Sequence, residues 1–108
     1  MGDEHGDRWV DAGPTAALAE GQSVSVAVGE RFVAVARSDG EFFAIEDVCT
    51  HDGAELAGGP VEGAQIVCPR HGARFCLRTG AALTPPAYEG VRVFATKIEG
   101  GNLWVRSD

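Results

Sequence analysis

Two short segments of the sequence carry a cysteine and a histidine at close spacing. The first reads Cys49-Thr50-His51, and the second, after 16 intervening residues, reads Cys68-Pro69-Arg70-His71. Each segment offers one thiolate and one imidazole, which are ligands for iron in iron–sulfur clusters and also for zinc. A glycine follows each segment closely (Gly53, Gly72), and glycine tolerates positive φ and lets the backbone approach a bound group. The pattern predicts a metal centre held by Cys49, His51, Cys68 and His71.

Two other interpretations of these four residues stay open at this point. They could be scattered structural residues, although two matched Cys/His pairs, each beside a glycine, rarely arise by accident. A zinc ion accepts two cysteines and two histidines, although Cys-x-x-Cys followed by His-x-x-x-His is the more common zinc spacing. With zinc, the protein would be a metal-stabilised binding module.

The segments on both sides of this centre read as short β-strands separated by turns. Ser38-Asp39-Gly40 and Gly100-Gly101 lie between apolar runs, as hairpin turns do. Only residues 16–20 favour a helix, and they are too few to form a stable one alone. The middle of the chain, residues 49–90, is rich in glycine and proline and is the place where loops would build a site. The predicted strands are residues 22–28, 31–37, 41–46, 91–99 and 102–106.

Length and composition bound the class of protein. The 108 residues, 44% of them hydrophobic, suit one domain spanning residues 1–108. No apolar run approaches the roughly 20 residues that span a bilayer, so we expect no membrane insertion. A net charge of −7 makes nucleic acid and anionic lipid poor partners. The acidic N-terminal residues contain no apolar signal segment, and three cysteines are an odd number, so we expect a cytoplasmic protein without a disulfide framework.

The Cys-x-His and Cys-x-x-His segments at this spacing resemble the metal-binding motifs of the Rieske family. The run from His71 to Gly80 is similar to the segment after the second motif in ferredoxins of non-haem iron oxygenase systems. The resemblance implies an all-β, Rieske-type sandwich or barrel of short antiparallel strands with a loop-rich cluster-binding subdomain at about residues 47–88. It also implies one [2Fe-2S] cluster per chain, with Cys49 and Cys68 on the inner iron and His51 and His71 on the outer iron.

The same resemblance implies an electron carrier. Such a ferredoxin is a monomer that receives one electron from a flavin-dependent ferredoxin reductase and passes it to a terminal non-haem iron oxygenase. The chain is not expected to be an enzyme itself, because only His5 remains after His51 and His71, and a mononuclear iron site needs two further histidines and a carboxylate. The alternative is an accessory subunit resembling the small subunit of assimilatory nitrite reductase, but such subunits often lack the four ligands.

Three details refine the resemblance. High-potential members carry a disulfide and hydroxyl donors near the cluster, and this sequence has Ala54, Arg70, Ala73 and Phe75 at those positions. Hydrogen bonds to cluster sulfur stabilise the reduced state, so their absence predicts a potential near the low end of the family, about −150 mV. The segment Pro85-Pro86-Ala87-Tyr88 resembles the proline loop that closes over the cluster. Cys76 replaces an acidic residue of the family, and we interpret it as a small buried hydrophobe rather than a redox-sensitive thiol.

Overall fold

A computed structural model describes residues 9–50, 53–85 and 87–107. These residues form short strands and a single turn of 3-10 helix at Thr15–Ala17, where the sequence predicted a short helix slightly further along. No helix in these three stretches has the length and apolar composition needed to cross a membrane. Within the described ranges the strands are β1 (Trp9–Pro14), β2 (Ser23–Val28), β3 (Arg31–Ser38), β4 (Glu41–Glu46), β5 (Val61–Glu62), β6 (Gln65–Val67), β7 (Arg74–Cys76), β8 (Val93–Phe94), β9 (Thr96–Glu99) and β10 (Asn102–Arg106).

The strands form three antiparallel sheets, which confirms the all-β prediction. The terminal sheet has the order β1-β10-β9, the central sheet β2-β3-β4-β8, and the small sheet β5-β6-β7. All the pairs are antiparallel, and most join strands that are neighbours in sequence. Short hairpin connections therefore account for most of the topology.

Both predicted hairpin turns are confirmed. Asp39 and Gly40, with φ of 53° and 78°, form a two-residue turn between β3 and β4, in which Ser38 pairs with Glu41. Gly100 and Gly101, with φ of 62° and 81°, connect β9 to β10. Left-handed backbone at both central positions is the conformation that Asp-Gly and Gly-Gly favour in tight hairpins.

The prediction of one continuous strand over residues 91–99 is wrong. The chain forms β8 in the central sheet, leaves it at Ala95 and continues as β9 in the terminal sheet. Just past this crossing, the Thr96 hydroxyl donates a hydrogen bond to the Phe42 carbonyl of β4 (3.3 Å). Phe94 of β8 is buried in the core, whereas no residue of β9 is fully buried.

The central sheet is covered on both faces, so the molecule has two cores. One core lies between the central and terminal sheets and is called the base core; Val33 and Val35 of β3 face it. The other lies between the central and small sheets and is called the loop core; Ala34 and Ala36 face it. Burial on both faces explains why β3 reads as a continuous apolar run. The base core contains Leu18, Val28, Val33, Val35, Ala44, Phe94, Leu103 and Val105. The loop core contains Ala34, Ala36, Ile45, Cys49, Leu56, Val61, Ile66, Cys68, Ala73, Phe75, Leu77, Ala87 and Val91.

Candidate metal centre

The two cysteines of the predicted centre lie together in the loop core. Cys49 has 0% and Cys68 has 1% of its surface exposed, and both belong to the same cluster of buried residues. Neither forms a disulfide. Two buried, unbridged cysteines at one end of a core suit thiolate ligands on the inner side of a metal centre.

Each cysteine begins a loop that is closed by the same pair of backbone hydrogen bonds. In the first loop, residues 49–54, the Cys49 N–H donates to the Ala54 carbonyl (2.6 Å) and the Gly53 N–H donates to the Cys49 carbonyl (2.7 Å). The second loop, residues 68–73, repeats both hydrogen bonds at the matching positions, with N···O distances of 2.7 and 2.9 Å. Cys49 and Cys68 therefore occupy equivalent positions in two loops that are closed by the same pair of backbone hydrogen bonds.

The glycines of these loops are required by backbone conformation. Gly53 and Gly72 have φ of 80° and 76°, in the left-handed region that side chains rarely adopt. A Cβ added at either position would meet no heavy atom within 4 Å, so lack of space is not the reason. The positive φ expected from the sequence is confirmed at both positions.

His71 lies on the exposed side of the site. His71 is exposed, in contrast to the buried Cys68 of the same loop. His51 lies outside the described residues. Across residues 9–50, 53–85 and 87–107, no three His, Cys, Asp or Glu side chains converge on one point where they could hold a metal ion. The structure thus places three of the four predicted ligands, and the complete ligand set stays a prediction.

Two threonines join the proline loop to the two cysteine loops, and sequence reasoning missed both. Thr50, in the first loop, donates its hydroxyl hydrogen to the Glu89 carbonyl (2.6 Å). At the other end, the Arg74 N–H, just after the second loop, donates to the Thr84 hydroxyl oxygen (2.9 Å). Between these two anchors Tyr88 is 82% exposed. The proline loop is therefore held against both loops that carry the predicted ligands.

The described donors fit an iron–sulfur cluster. The buried thiols of Cys49 and Cys68 are soft ligands suited to iron bound to sulfide, and the exposed His71 imidazole suits an iron nearer the surface. The two cysteines begin loops that are closed by the same backbone hydrogen bonds. This arrangement defines a class of small all-β proteins that hold a metal centre between two Cys/His loops at one end of a sandwich.

Comparisons with known proteins identify the family. Residues 8–95 match the model of the Rieske [2Fe-2S] domain. The ferredoxin component of the naphthalene 1,2-dioxygenase system of Pseudomonas aeruginosa is 33% identical over 99 residues, covering 92% of this chain and 95% of that protein. The ferredoxin subunit of 3-phenylpropionate/cinnamic acid dioxygenase of Escherichia coli K12 is 36% identical over 93 residues, covering 85% and 87%.

A solved structure is similar over nearly the whole chain. It belongs to a complex of reduced oxygenase and oxidised ferredoxin in carbazole 1,9a-dioxygenase, and the matching chain has a TM-score of 0.87 and 31% identity, covering 94% of this chain and 95% of that one. The chain belongs to the Rieske [2Fe-2S] domain family, and its cofactor is a Rieske-type [2Fe-2S] cluster. The family resemblance and the fold predicted from the sequence are both confirmed.

Proposed function

We propose that this protein is the ferredoxin component of an aromatic-ring-hydroxylating dioxygenase system. It carries one electron from a flavin-dependent ferredoxin reductase to a terminal non-haem iron oxygenase and transforms no substrate itself. The observation that carries the proposal is the pair of matched loops, which bury Cys49 and Cys68 and leave His71 at the surface. Relatives of nearly the same length are ferredoxin components, which favours the carrier over an accessory subunit like that of nitrite reductase.

In this proposal Cys49 and Cys68 bind the inner iron, and His51 and His71 bind the outer iron. When bound, the cluster supplies a one-electron couple. The burial of both cysteines keeps water from the inner side of the site. The exposed His71 imidazole brings the ligand shell to a surface that a partner protein can touch.

The proline loop supplies apolar contact area beside this surface. Leu83 is 45% exposed and Tyr88 is 82% exposed, while Ala87 between them is buried in the loop core. Protein interfaces are enriched in aromatic side chains such as tyrosine, and charged residues are depleted at their centres. We therefore place the docking surface for the reductase and the oxygenase at His71 and the proline loop.

Electron paramagnetic resonance before and after dithionite, with iron and sulfide counted on the same sample, tests the cofactor and its ligands. We expect a silent oxidised protein and, on reduction, a rhombic signal whose average g lies below the free-electron value. His71→Ala should lose the signal and iron, whereas His5→Ala, which changes the histidine outside the predicted ligand set, should keep both. Rapid-mixing reduction by a flavin reductase, followed by oxidation by the oxygenase, tests the carrier role.

Other outcomes assign the protein elsewhere. A colourless protein that holds zinc and no sulfide would be the zinc-stabilised binding module. A protein with an intact cluster that neither accepts an electron from a reductase nor delivers one to an oxygenase would be an accessory subunit. Loss of the signal in His5→Ala would contradict the proposed ligand set.

We further propose that residues 1–108 form one domain, that the protein is a monomer and that it works in the cytoplasm. The family match over residues 8–95 and the relatives' similar length support a single domain. Cys49, Cys68 and Cys76 form no disulfide, which suits a reducing compartment. Size-exclusion chromatography with light scattering tests the monomer, and cell fractionation tests the location.

A further inference from the structure

The two cysteine loops are closed by the same backbone hydrogen bonds but have different structural supports. The second loop caps the β6–β7 hairpin, in which Val67 pairs with Arg74 immediately outside the loop. The first loop follows β4, which ends at Glu46, and no strand pair closes the base of this loop in the described residues. The first loop therefore needs another support.

The side chain of Asp47 provides that support. Asp47 is 9% exposed, and its Oδ1 accepts hydrogen bonds from two successive backbone amides, those of Leu56 and Ala57, both at 2.8 Å. Its Oδ2 is buried and has no hydrogen-bond partner in the described chain. Asp47 Oδ1 thus connects the chain that enters the first loop to the chain that leaves it. In the second loop, the β6–β7 strand pair makes this connection.

Ser23 and Ser38, the other buried polar side chains in the described chain, show what is particular to Asp47. Each also accepts one backbone N–H: the Ser23 hydroxyl from Gly58 (2.9 Å) and the Ser38 hydroxyl from Ala64 (3.0 Å). Ala64 lies in the turn between β5 and β6 and closes no cysteine loop. Ser38 is therefore a matched buried acceptor that supports the small sheet away from the ligands.

We propose that Asp47 is a positioning residue for the cluster. By closing the base of the first loop, its Oδ1 holds Cys49, and with it the Cys49-Thr50-His51 segment, at a fixed place relative to the second loop. A carboxylate oxygen that accepts two amides is a strong acceptor, and losing it leaves two buried or half-buried N–H groups without a partner. The inference rests on the Rieske cluster being present, but not on the identity of the electron partners.

The test compares Asp47→Ala, Asp47→Asn and Ser38→Ala as holoproteins. We expect Asp47→Ala to lose iron to a chelator about ten-fold faster than the wild type or more, and to show a broadened rhombic signal with shifted g values. Asp47→Asn keeps an acceptor oxygen, so its rate of iron loss should lie between those of the wild type and Asp47→Ala. Ser38→Ala should lower the urea midpoint while leaving the g values unchanged and the rate of iron loss within about two-fold.

Each result decides the inference. If Asp47→Ala and Ser38→Ala lose iron equally fast and both keep the wild-type g values, Asp47 only stabilises the fold and the inference fails. If Asp47→Ala does not fold, the same comparison is made with Asp47→Asn, where unchanged g values and iron retention overturn it. A wild-type protein without a cluster overturns this inference and the proposed function together, whereas failure of electron transfer by a protein with an intact cluster overturns the function alone.

Discussion

At the scale of single residues, Cys76 differs from the interpretation drawn from the sequence. It is half-buried rather than fully buried, and it begins a third loop that is closed by the same pair of backbone hydrogen bonds as the other two. The Cys76 N–H donates to the Ala81 carbonyl (2.9 Å), and the Gly80 N–H donates to the Cys76 carbonyl (2.7 Å). The Thr79 hydroxyl, then the backbone amides of Thr79 and Arg78 and the Arg78 charge, lower the pKa of the Cys76 thiol, although its partial burial acts in the opposite direction.

This lowered pKa predicts a reactive thiol. The thiolate is the nucleophile, so a lower pKa raises the reactive fraction at neutral pH. In the holoprotein we expect Cys76 to react with iodoacetamide with a pH midpoint below that of an ordinary thiol. Thr79→Val should move the midpoint upward, because it removes the largest cause of the shift. Mass spectrometry across a pH series measures this, with Cys76→Ser as the blank. A midpoint that does not change in Thr79→Val would contradict the prediction.

Some residues of the site can be predicted from the sequence, and others cannot. The cysteines and histidines are visible because their types and spacing are local. The repeat Cys-x-x-x-Gly-Ala, which begins at Cys49, Cys68 and Cys76, is also present in the sequence and could have revealed the common loop. The roles of Asp47 and Thr50 could not be read in this way. Their hydrogen bonds reach residues 9 and 39 positions away, and only the folded chain brings those groups together.

At the scale of elements, strand length accounts for much of what the sequence reveals, although the six-residue strand β1 was not predicted. Strands β2, β3, β4 and β10 have five to eight residues, enough for a pattern to show, and all four were predicted nearly in full. Strands β5 to β7 of the small sheet have two or three residues each, which is too short for a period of two to show. The middle segment therefore read as loops, although it contains a sheet.

The proline loop gives a prediction at this scale. Thr50→Val removes the hydroxyl that donates to the Glu89 carbonyl while nearly keeping the side-chain volume. A hydrogen bond contributes about 1 kcal/mol, so amides of residues 87–90 should exchange with solvent deuterium about five-fold faster. Hydrogen exchange with mass spectrometry on the holoprotein measures this.

Two further variants serve as controls for Thr50→Val. Thr50→Ser retains the hydroxyl and should exchange at nearly the wild-type rate. Thr84→Val removes the anchor at the start of the loop and should speed exchange around Leu83 more than around Glu89. Equal exchange in Thr50→Val and the wild type at residues 87–90 would show that Thr50 does not hold the loop.

At the scale of the whole molecule, the two cores have different roles: the base core packs sheets together, and the loop core contains the cysteines of the predicted centre. The base core packs the central sheet against the terminal sheet, and both of these sheets contain strand pairs of four to six residues. The loop core contains Cys49 and Cys68 and joins the central sheet to a small sheet of very short strands. Binding of a metal centre contributes directly to the stability of the segment that holds its ligands. The loop half should therefore depend on the cluster far more than the base half does.

Removal of the cluster tests this division. In protein stripped of iron and sulfide, we expect the amides of β5, β6 and β7 to lose most of their protection from hydrogen exchange, while β3, β4 and β10 keep theirs. Leu103→Ala is the control from the base core: it should lower the free energy of unfolding by about 2–4 kcal/mol without changing the iron content. If the small sheet of the stripped protein stays as protected as the terminal sheet, the prediction is wrong. The loop core is then stable without the cluster, and the cluster binds to a site that is already folded.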